Sequence, residues 1–268
     1  MKVKEFRTKF NDVYLYAIGD IHIGDRNFSK ASEDKLKGYI EFIRKTPNAY
    51  CMLQGDLLNV ATRASKTSPF DQNLDLKEQI EKAVDLFKPI KHKILGAVDG
   101  NHETRISDFT GYSPTISVCE RLGIDYMKDS AIYLLRMGCH SKKDIPRTTF
   151  TIYSAHGSGG GKTVGSKMNR VDAMRNIVSN CDVYASGHNH MLGCIPTLTQ
   201  VVNPFTGQVD MIRQMLVDTG SFLDWNESYA ERMQLQPSKL GSPRIHLIVE
   251  RKMINGKEET HKDCHVSL

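Results

Sequence analysis

An α/β architecture is what this 268-residue sequence predicts. Three observations predict it. Short apolar runs alternate with helix-period segments, the order of a sheet built from β-α-β units. Several of the runs are apolar on both faces, as strands covered on both sides are. The early runs also end on a glycine beside Asp, Asn or His, at the strand ends where open α/β sheets place their sites.

The runs are VYLYAIG (13–19), AYCMLQG (49–55), KILGAVDG (93–100), TFTIYSAHG (149–157) and VYASGH (183–188), each read as a strand. Four helices are predicted between them. The first covers 31–45. The second covers 75–88, with Asp75-Leu-Lys-Glu78 as a capping box and Pro89 as a stop. The third is framed by Ser113-Pro114 and Gly123, a cap with an N1 proline and a C′ glycine. The fourth covers 166–179. From 195 the pattern turns β-rich, with a hairpin turn at Asn-Pro-Phe-Thr-Gly and a further strand in PRIHLIVERK (243–252). The closing NGKEETHKDCHVSL is polar, and its tail is expected to be loose. No repeat or linker divides the chain, so one domain over 1–268 is expected.

With 40% hydrophobic and 25% charged residues, the composition is that of a soluble globular protein with a sizeable core. No apolar run reaches membrane-spanning length, and MKVKEFRTKF lacks the apolar stretch of a signal peptide. No membrane association and a cytoplasmic location are therefore expected. The six cysteines are scattered without a C-x-x-C pair and read as reduced thiols; Cys139-His140 and Cys264-His265 fall in polar segments and read as ordinary surface. The net charge of +5 is too mild to announce a nucleic-acid binder. Its distribution is uneven: Lys162, Lys167, Arg170 and Arg175 face Asp172 alone, either a solvated face or an anion-attracting rim.

The stretch SAHGSGGGKTVG (154–165) resembles a phosphate-binding G-x-x-x-x-G-K-T loop, but the position of its first glycine is His156. That histidine belongs to a different series. GDIHIG supplies Asp20 and His22, GDLLN supplies Asp56, GNHE supplies Asn101, His102 and Glu103, SAHG supplies His156, and GHNH supplies His188 and His190. In extended chain, residues i and i+2 point the same way, so each D-x-H or H-x-H pair is expected to aim two side chains at one region. Singly each motif is weak, since a lone Gly-Asp is usually a turn. Five of them in order at strand ends are a constellation of metal-ligating types, and mixed N/O donors suit Mn, Fe, Zn or Ni better than calcium.

The order D-x-H, GD, GNHE, H, GH-x-H resembles that of the calcineurin-like metallophosphoesterases, over residues 19–190 and with no motif missing. The chain is similar to the small phosphoesterases of bacteria and bacteriophages. The resemblance implies a four-layer α/β/β/α sandwich of two mixed sheets, with a dinuclear metal site at strand C-terminal ends. The β-rich second half would supply the second sheet. The resemblance also implies two divalent transition-metal ions, manganese first. One would be held by Asp20, His22, Asp56 and His190. The other would be held by Asp56, Asn101, His156 and His188, with Asp56 serving both. It implies a hydrolase that attacks a phosphate ester with metal-activated water. His102, which follows a ligand, is expected to protonate the leaving oxygen, and Glu103 to orient a neighbour.

The match stops in two places. The arginine of the protein-phosphatase GD-x-V-D-R-G motif has no counterpart in GDLLNVATR, leaving Arg63 or Arg105 to meet a phosphate by another route. The long DNA-binding segments of the repair exonucleases are absent too. Trp225, Tyr229 and Arg232 form either a wall for a base or sugar or a packed edge. The basic cluster makes a nucleotide or nucleic-acid phosphodiester the favoured substrate, with Asn101, Lys162 and Arg170 as its contacts. A phosphomonoesterase is the alternative, and a non-catalytic scaffold is disfavoured by the full ligand set.

Overall fold

The computed structural model describes residues 1–62, 65, 69–141, 148–232, 234–254 and 257–268. In chain order these form β1 (Lys2–Arg7), β2 (Asp12–Ile18), α1 (Lys30–Lys45), β3 (Ala49–Leu53), α2 (Leu76–Phe87), β4 (Ile94–Val98), α3 (Asn101–Thr110), α4 (Pro114–Leu122), β5 (Tyr126–Lys128) and β6 (Ser130–Met137). The second half adds β7 (Thr148–Ala155), α5 (Val164–Ala173), β8 (Val183–Ser186), β9 (Leu192–Asn203), β10 (Gln208–Thr219), α6 (Tyr229–Arg232), β11 (Arg244–Ile254) and β12 (Lys257–Ser267).

The strands build two mixed six-stranded sheets, in the orders β1-β6-β7-β8-β10-β9 and β12-β11-β2-β3-β4-β5. Between the sheets lies a core of Val13, Leu15, Met52 and Leu95 from one and Tyr133, Phe150, Ile152 and Val217 from the other. On the outer face of the β2-β3-β4 sheet, Ile18, Cys51 and Leu53 pack against Leu36 and Ile43 of α1, Ala83 of α2 and Val118 of α4. On the outer face of the second sheet, Tyr153 and Tyr184 pack against Met168 and Val171 of α5. The result is helix, sheet, sheet, helix: the four-layer sandwich. Strands with apolar residues on both faces are those buried between two layers, as predicted.

The helix ends follow local chemistry. Asp75 accepts from the Glu78 amide at 2.8 Å while the Glu78 carboxylate accepts from the Asp75 amide at 2.8 Å, closing the expected capping box. Ser113 caps α4, Pro114 is its first residue, and Gly123 ends it in the left-handed region at φ 68°. The fourth helix is shorter than expected: α5 stops at Ala173 and hands over to a 3-10 turn at Met174–Asn176.

Three expectations need correction. The tail is not loose: β12 pairs with β11 as far as Ser267, opposite Arg244. Polar composition misled here because β12 is an edge strand, where charged residues are favoured. The second half does not supply the second sheet by itself, since β9 and β10 join β1, β6, β7 and β8 while β11 and β12 join β2 to β5. Strand β6 and helix α3 were not anticipated. The strand is visible in retrospect as an alternation that buries Ala131, Tyr133, Leu135 and Met137.

Tyr133 is fully buried between the sheets, and its hydroxyl has no hydrogen-bond partner. A desolvated, unpaired hydroxyl is a net cost. Tyr133→Phe should therefore leave stability unchanged or raise it by up to ~1 kcal/mol, read by urea denaturation. A clear loss would mean the hydroxyl does have a partner.

Candidate metal centre

Strands β2, β3, β4, β7 and β8 stop just short of the motifs, so the candidate ligands lie in the loops that leave the strand ends or, for Asn101, on the first residue of α3. The expected extended geometry is not what brings them together. Asp20 (φ 48°), His22 (φ 53°), Asp56 (φ 47°), His188 (φ 69°) and His190 (φ 51°) all occupy the left-handed region. For residues with a Cβ this conformation is strained, at about 1–3 kcal/mol each, and such strain concentrates at functional sites. The first two loops are laced together, with the Asp20 amide donating to Gly55 O at 3.0 Å and the Ile21 and His22 amides to Asp56 O at 2.9 and 3.0 Å.

Close approach explains two glycines. A Cβ on Gly100 would sit 2.0 Å from Asp56 Oδ1 and 2.2 Å from Asp56 N, and one on Gly187 would sit 2.6 Å from Asp20 Oδ2. Only a residue without a side chain lets these loops touch the carboxylates.

The seven candidate ligands converge in two groups. In the first, His190 Nε2 lies 3.3 Å from Asp20 Oδ1 and 3.2 Å from His22 Nε2. His22 Nε2 is 3.8 Å from Asp56 Oδ2, and Asp20 Oδ1 is buried with no hydrogen-bond partner. In the second, Asp56 Oδ2 lies 3.3 Å from His156 Nε2, while Asn101 Oδ1 lies 3.1 Å from His156 Nε2 and 2.7 Å from His188 Nδ1. His156 Nδ1 donates to Gln54 O at 2.8 Å, so in the neutral ring Nε2, which faces inward, carries the lone pair a metal would take. Asp56 Oδ2 belongs to both groups.

This is a concentration of carboxylate, amide and imidazole groups of metal-ligating type, and the arrangement fits divalent cations. Asn101 makes the point. With Oδ1 inward it opposes two imidazole nitrogens. With its amide reversed, the nitrogen would donate to His188 Nδ1, His156 Nε2 and Asp56 Oδ2 at 2.7–3.2 Å, and the oxygen would accept from Arg105 Nη2 at 3.1 Å. The reversed form suits a centre without ions, and the first presents the oxygen a hard cation needs.

Burial opposes ionisation of Asp56, yet the surrounding His156, His102 and His22 hold its carboxyl well below the usual range. His156 is opposed by burial and pushed up to about 10 by Asp56 and Asp20. Burial and then His102 keep His22 well below the ordinary imidazole value. Such mutual dependence marks groups that share one charge problem.

His102 is buried beside the centre, its Nδ1 against Asn59 O and its Nε2 3.8 Å from Asp56 Oδ2. Its ring meets His22 edge-on at 4.4 Å, and His22, Asp56 and His102 together offer a third cluster of ligand atoms. Burial lowers its affinity for a proton, and Asp56 works against that. Glu103 accepts from the amides of Asp56 (3.0 Å), Leu58 (2.9 Å) and Gly100 (2.9 Å), clamping the bridging loop to the start of α3. Burial and the Asp56 charge push its carboxyl up to about 8, while those three donors favour the ionised form.

The basic cluster is not one rim. Lys167 is buried, Arg170 donates to Ser158 O at 2.9 Å and Gly160 O at 3.2 Å, and Arg175 pairs with Asp172. Arg170 is thus a strap on the glycine-rich loop, and Lys162 is exposed at the start of α5. Arg63 lies outside the described residues. Arg105 is half-buried on α3, with Nη1 enclosed and unpartnered. Trp225 Nε1 donates to Leu235 O and Arg232 pairs with Asp71, a packed edge; the Tyr229 side chain lies outside the described residues. The cysteines are free thiols and none joins a metal-ligand group among the described residues.

Two supporting residues had no motif to announce them. Gln54 orients His156 and, through Nε2, bonds Ala185 O at 3.0 Å, tying one sheet to the other. Asp218 is fully buried and accepts from Asn189 Nδ2 at 2.9 Å, bracing the residue between His188 and His190.

No protein-family model and no curated relative matches the chain. Among solved structures it is similar to vacuolar protein sorting 29 from Cryptosporidium parvum, at 12% identity over 96% of this chain and 99% of that one, with a TM-score of 0.38. It is also similar to the NAD nucleotidase NadN of Haemophilus influenzae, at 10% identity over 96% of this chain and 49% of that one, with a TM-score of 0.40. The chain thus spans about half the length of the nucleotidase. Among the described residues no helix is long and apolar enough to cross a membrane.

The Gly100 contact is testable. Divalent metal should raise the melting temperature of the native protein, and Gly100→Ala, whose Cβ must displace Asp56, should abolish that rise. An undiminished rise would show that Asp56 is not needed for binding.

Proposed function

We propose that this chain is a dinuclear metal-dependent phosphoesterase. One observation carries the reading: seven side chains of metal-ligating type from five separate chain segments converge as two groups that share one carboxylate, Asp56. Asp20, His22, Asp56 and His190 would hold one ion, and Asp56, Asn101, His156 and His188 the other. Bound there, the ions would supply a nucleophilic water at neutral pH and neutralise charge on the phosphoryl oxygens.

The chain's own residues supply the rest. Asp56 stays ionised at the shared position, and Glu103 fixes the loop that carries it. His102 is the group to hand a proton to the leaving oxygen. Its Nδ1 is anchored on Asn59 O, which leaves Nε2 facing the site. A histidine can do this near neutral pH, and the gain is typically 10²–10⁴-fold. Lys162 and Arg105 are cations available to a phosphoryl group, Lys162 from an exposed position and Arg105 from beside Asn101.

For the substrate we favour a phosphodiester of nucleotide size. The basic cluster that favours a longer nucleic acid in the sequence divides into a buried lysine, a loop strap and a surface pair, so it no longer argues for a long polyanion. A manganese-supplemented comparison of nucleotide diesters, single- and double-stranded DNA and phosphomonoesters tests this. Turnover of monoesters alone would replace it with the phosphatase reading.

Two outcomes follow for the centre. Chelation should abolish turnover and Mn²⁺ restore it, and Asp56→Asn should lose both activity and the metal-induced thermal shift. Full activity in chelator would refute the metal reading. His102→Ala should retain that thermal shift and lose about 10²–10⁴-fold in rate on alkyl esters. It should lose much less on nitrophenyl esters, whose leaving group needs little protonation. Equal losses would remove His102 from the proton-transfer role.

A further inference from the structure

The β9–β10 hairpin outruns its sheet. Strand β8 pairs with β10 only over Met215–Asp218, so Gln208–Gln214 of β10 have β9 alone as a strand partner, and beyond Gln214, which Ser179 and Cys181 still anchor, the ribbon runs free of β8. The extra length extends past the beginning of β8, at the end of the sandwich opposite the metal centre. A two-stranded ribbon without packing is marginal in water.

The face it presents is the core face. Paired residues of an antiparallel ladder share a face, and the pairs two apart repeat it. Cys194↔Val217 and Pro196↔Met215 place Val217 and Met215 in the core between the sheets. The same face continues outward through Leu198↔Arg213, Gln200↔Met211 and Val202↔Val209. There the covering layer ends: Leu198 is 63% exposed, Met211 67%, Val202 67% and Val209 57%, with Phe205 at the turn 97% exposed. Arg213, the one charge on that face, is neutralised by Asp263 at 2.7 Å.

We infer that this arm is a self-association surface, on which a second copy of the chain lays the same face across a two-fold axis. Three observations select that occupant. From Ile195 to Ile212 the sole charged residue is Asp210, paired with Val201 on the opposite face, so a polyanion has nothing to hold. A patch that continues a sandwich core is complementary to another of its kind, as a two-fold interface requires. The five exposed apolar side chains offer on the order of 700 Å², against about 800 Å² per partner in a standard interface.

The test is the mass of the full chain in solution by sedimentation at micromolar concentration. The native protein should be a dimer. Leu198→Glu with Val209→Glu should be monomeric, with the far-UV spectrum and the metal-induced thermal shift of the native protein. Should that variant misfold, Phe205→Ser decides, because an almost fully exposed tip has no internal packing to lose; it should weaken the dimer at least ~10-fold. A native monomer overturns the proposal, as does dimer affinity unchanged by Phe205→Ser or a dimer that survives the double substitution. Monomers that co-float with neutral phosphatidylcholine vesicles also overturn it, since the face would then be a lipid contact.

Discussion

Everything around the candidate centre answers one electrostatic problem: the Asp56 carboxylate is ionised and almost wholly removed from water. Such a charge is tolerated only where positive charge or donors surround it. The protein supplies the His102 amide at 2.8 Å to Oδ1 and a ring of imidazoles to Oδ2. Asp56 and Asp20 favour a proton on His156, which meets part of the demand, whereas burial opposes a proton on His22, His102 and His188. Divalent ions would meet it without those protons, and the donor types and the burial point the same way. The absence of a side chain at Gly100, the left-handed backbone at Asp56 and the Glu103 clamp are all consequences of bringing that carboxylate to a shared position.

The strained turns are held by their surroundings. Each left-handed residue forfeits a kcal/mol or more, and hydrogen bonds between neighbouring loops compensate, including the Asp20, Ile21 and His22 amides on the Gly55–Asp56 carbonyls. The His188 amide donates in turn to Asp20 Oδ2 at 2.9 Å, so a ligand of one group also fixes the loop carrying the other. Gln54 joins the two sheets directly behind His156. The site is therefore stiff because it sits where the two sheets are cross-linked.

Much of this was legible in sequence, for a physical reason. A candidate ligand is chemistry, and chemistry is carried by residue type: Asp20, His22, Asp56, Asn101, His156, His188 and His190 stand out as candidates by type, order and glycine neighbours, and the structure brings them together. How they converge was not legible. Period-two alternation gave a plausible geometry for Asp20 and His22, whereas the structure uses left-handed turns, which Asp and His enter more readily than most residues but do not by themselves announce. Residues that act through a single buried hydrogen bond, such as Gln54 and Asp218, carry no pattern at all. Charge clusters misled for a related reason. Lys167 and Arg170 lie three apart on α5, yet one faces the core and the other the glycine loop, and composition does not distinguish them.

The same strand logic divides the molecule into two ends. Parallel strands deliver the chemistry at their C-terminal ends, and that end is crowded with turns, glycines and buried charge. At the other end the strands merely start, and nothing constrains how far β10 extends before it meets β8. Its outer half keeps the alternation of a core strand after the core has ended, a pattern with a free-energy cost in a monomer. Asp218 near one end of β10 braces the loop of His188 and His190, while Met211 near the other lies on an open apolar face. One strand thus connects the loop of two candidate ligands to the exposed apolar face at the opposite end of the sandwich.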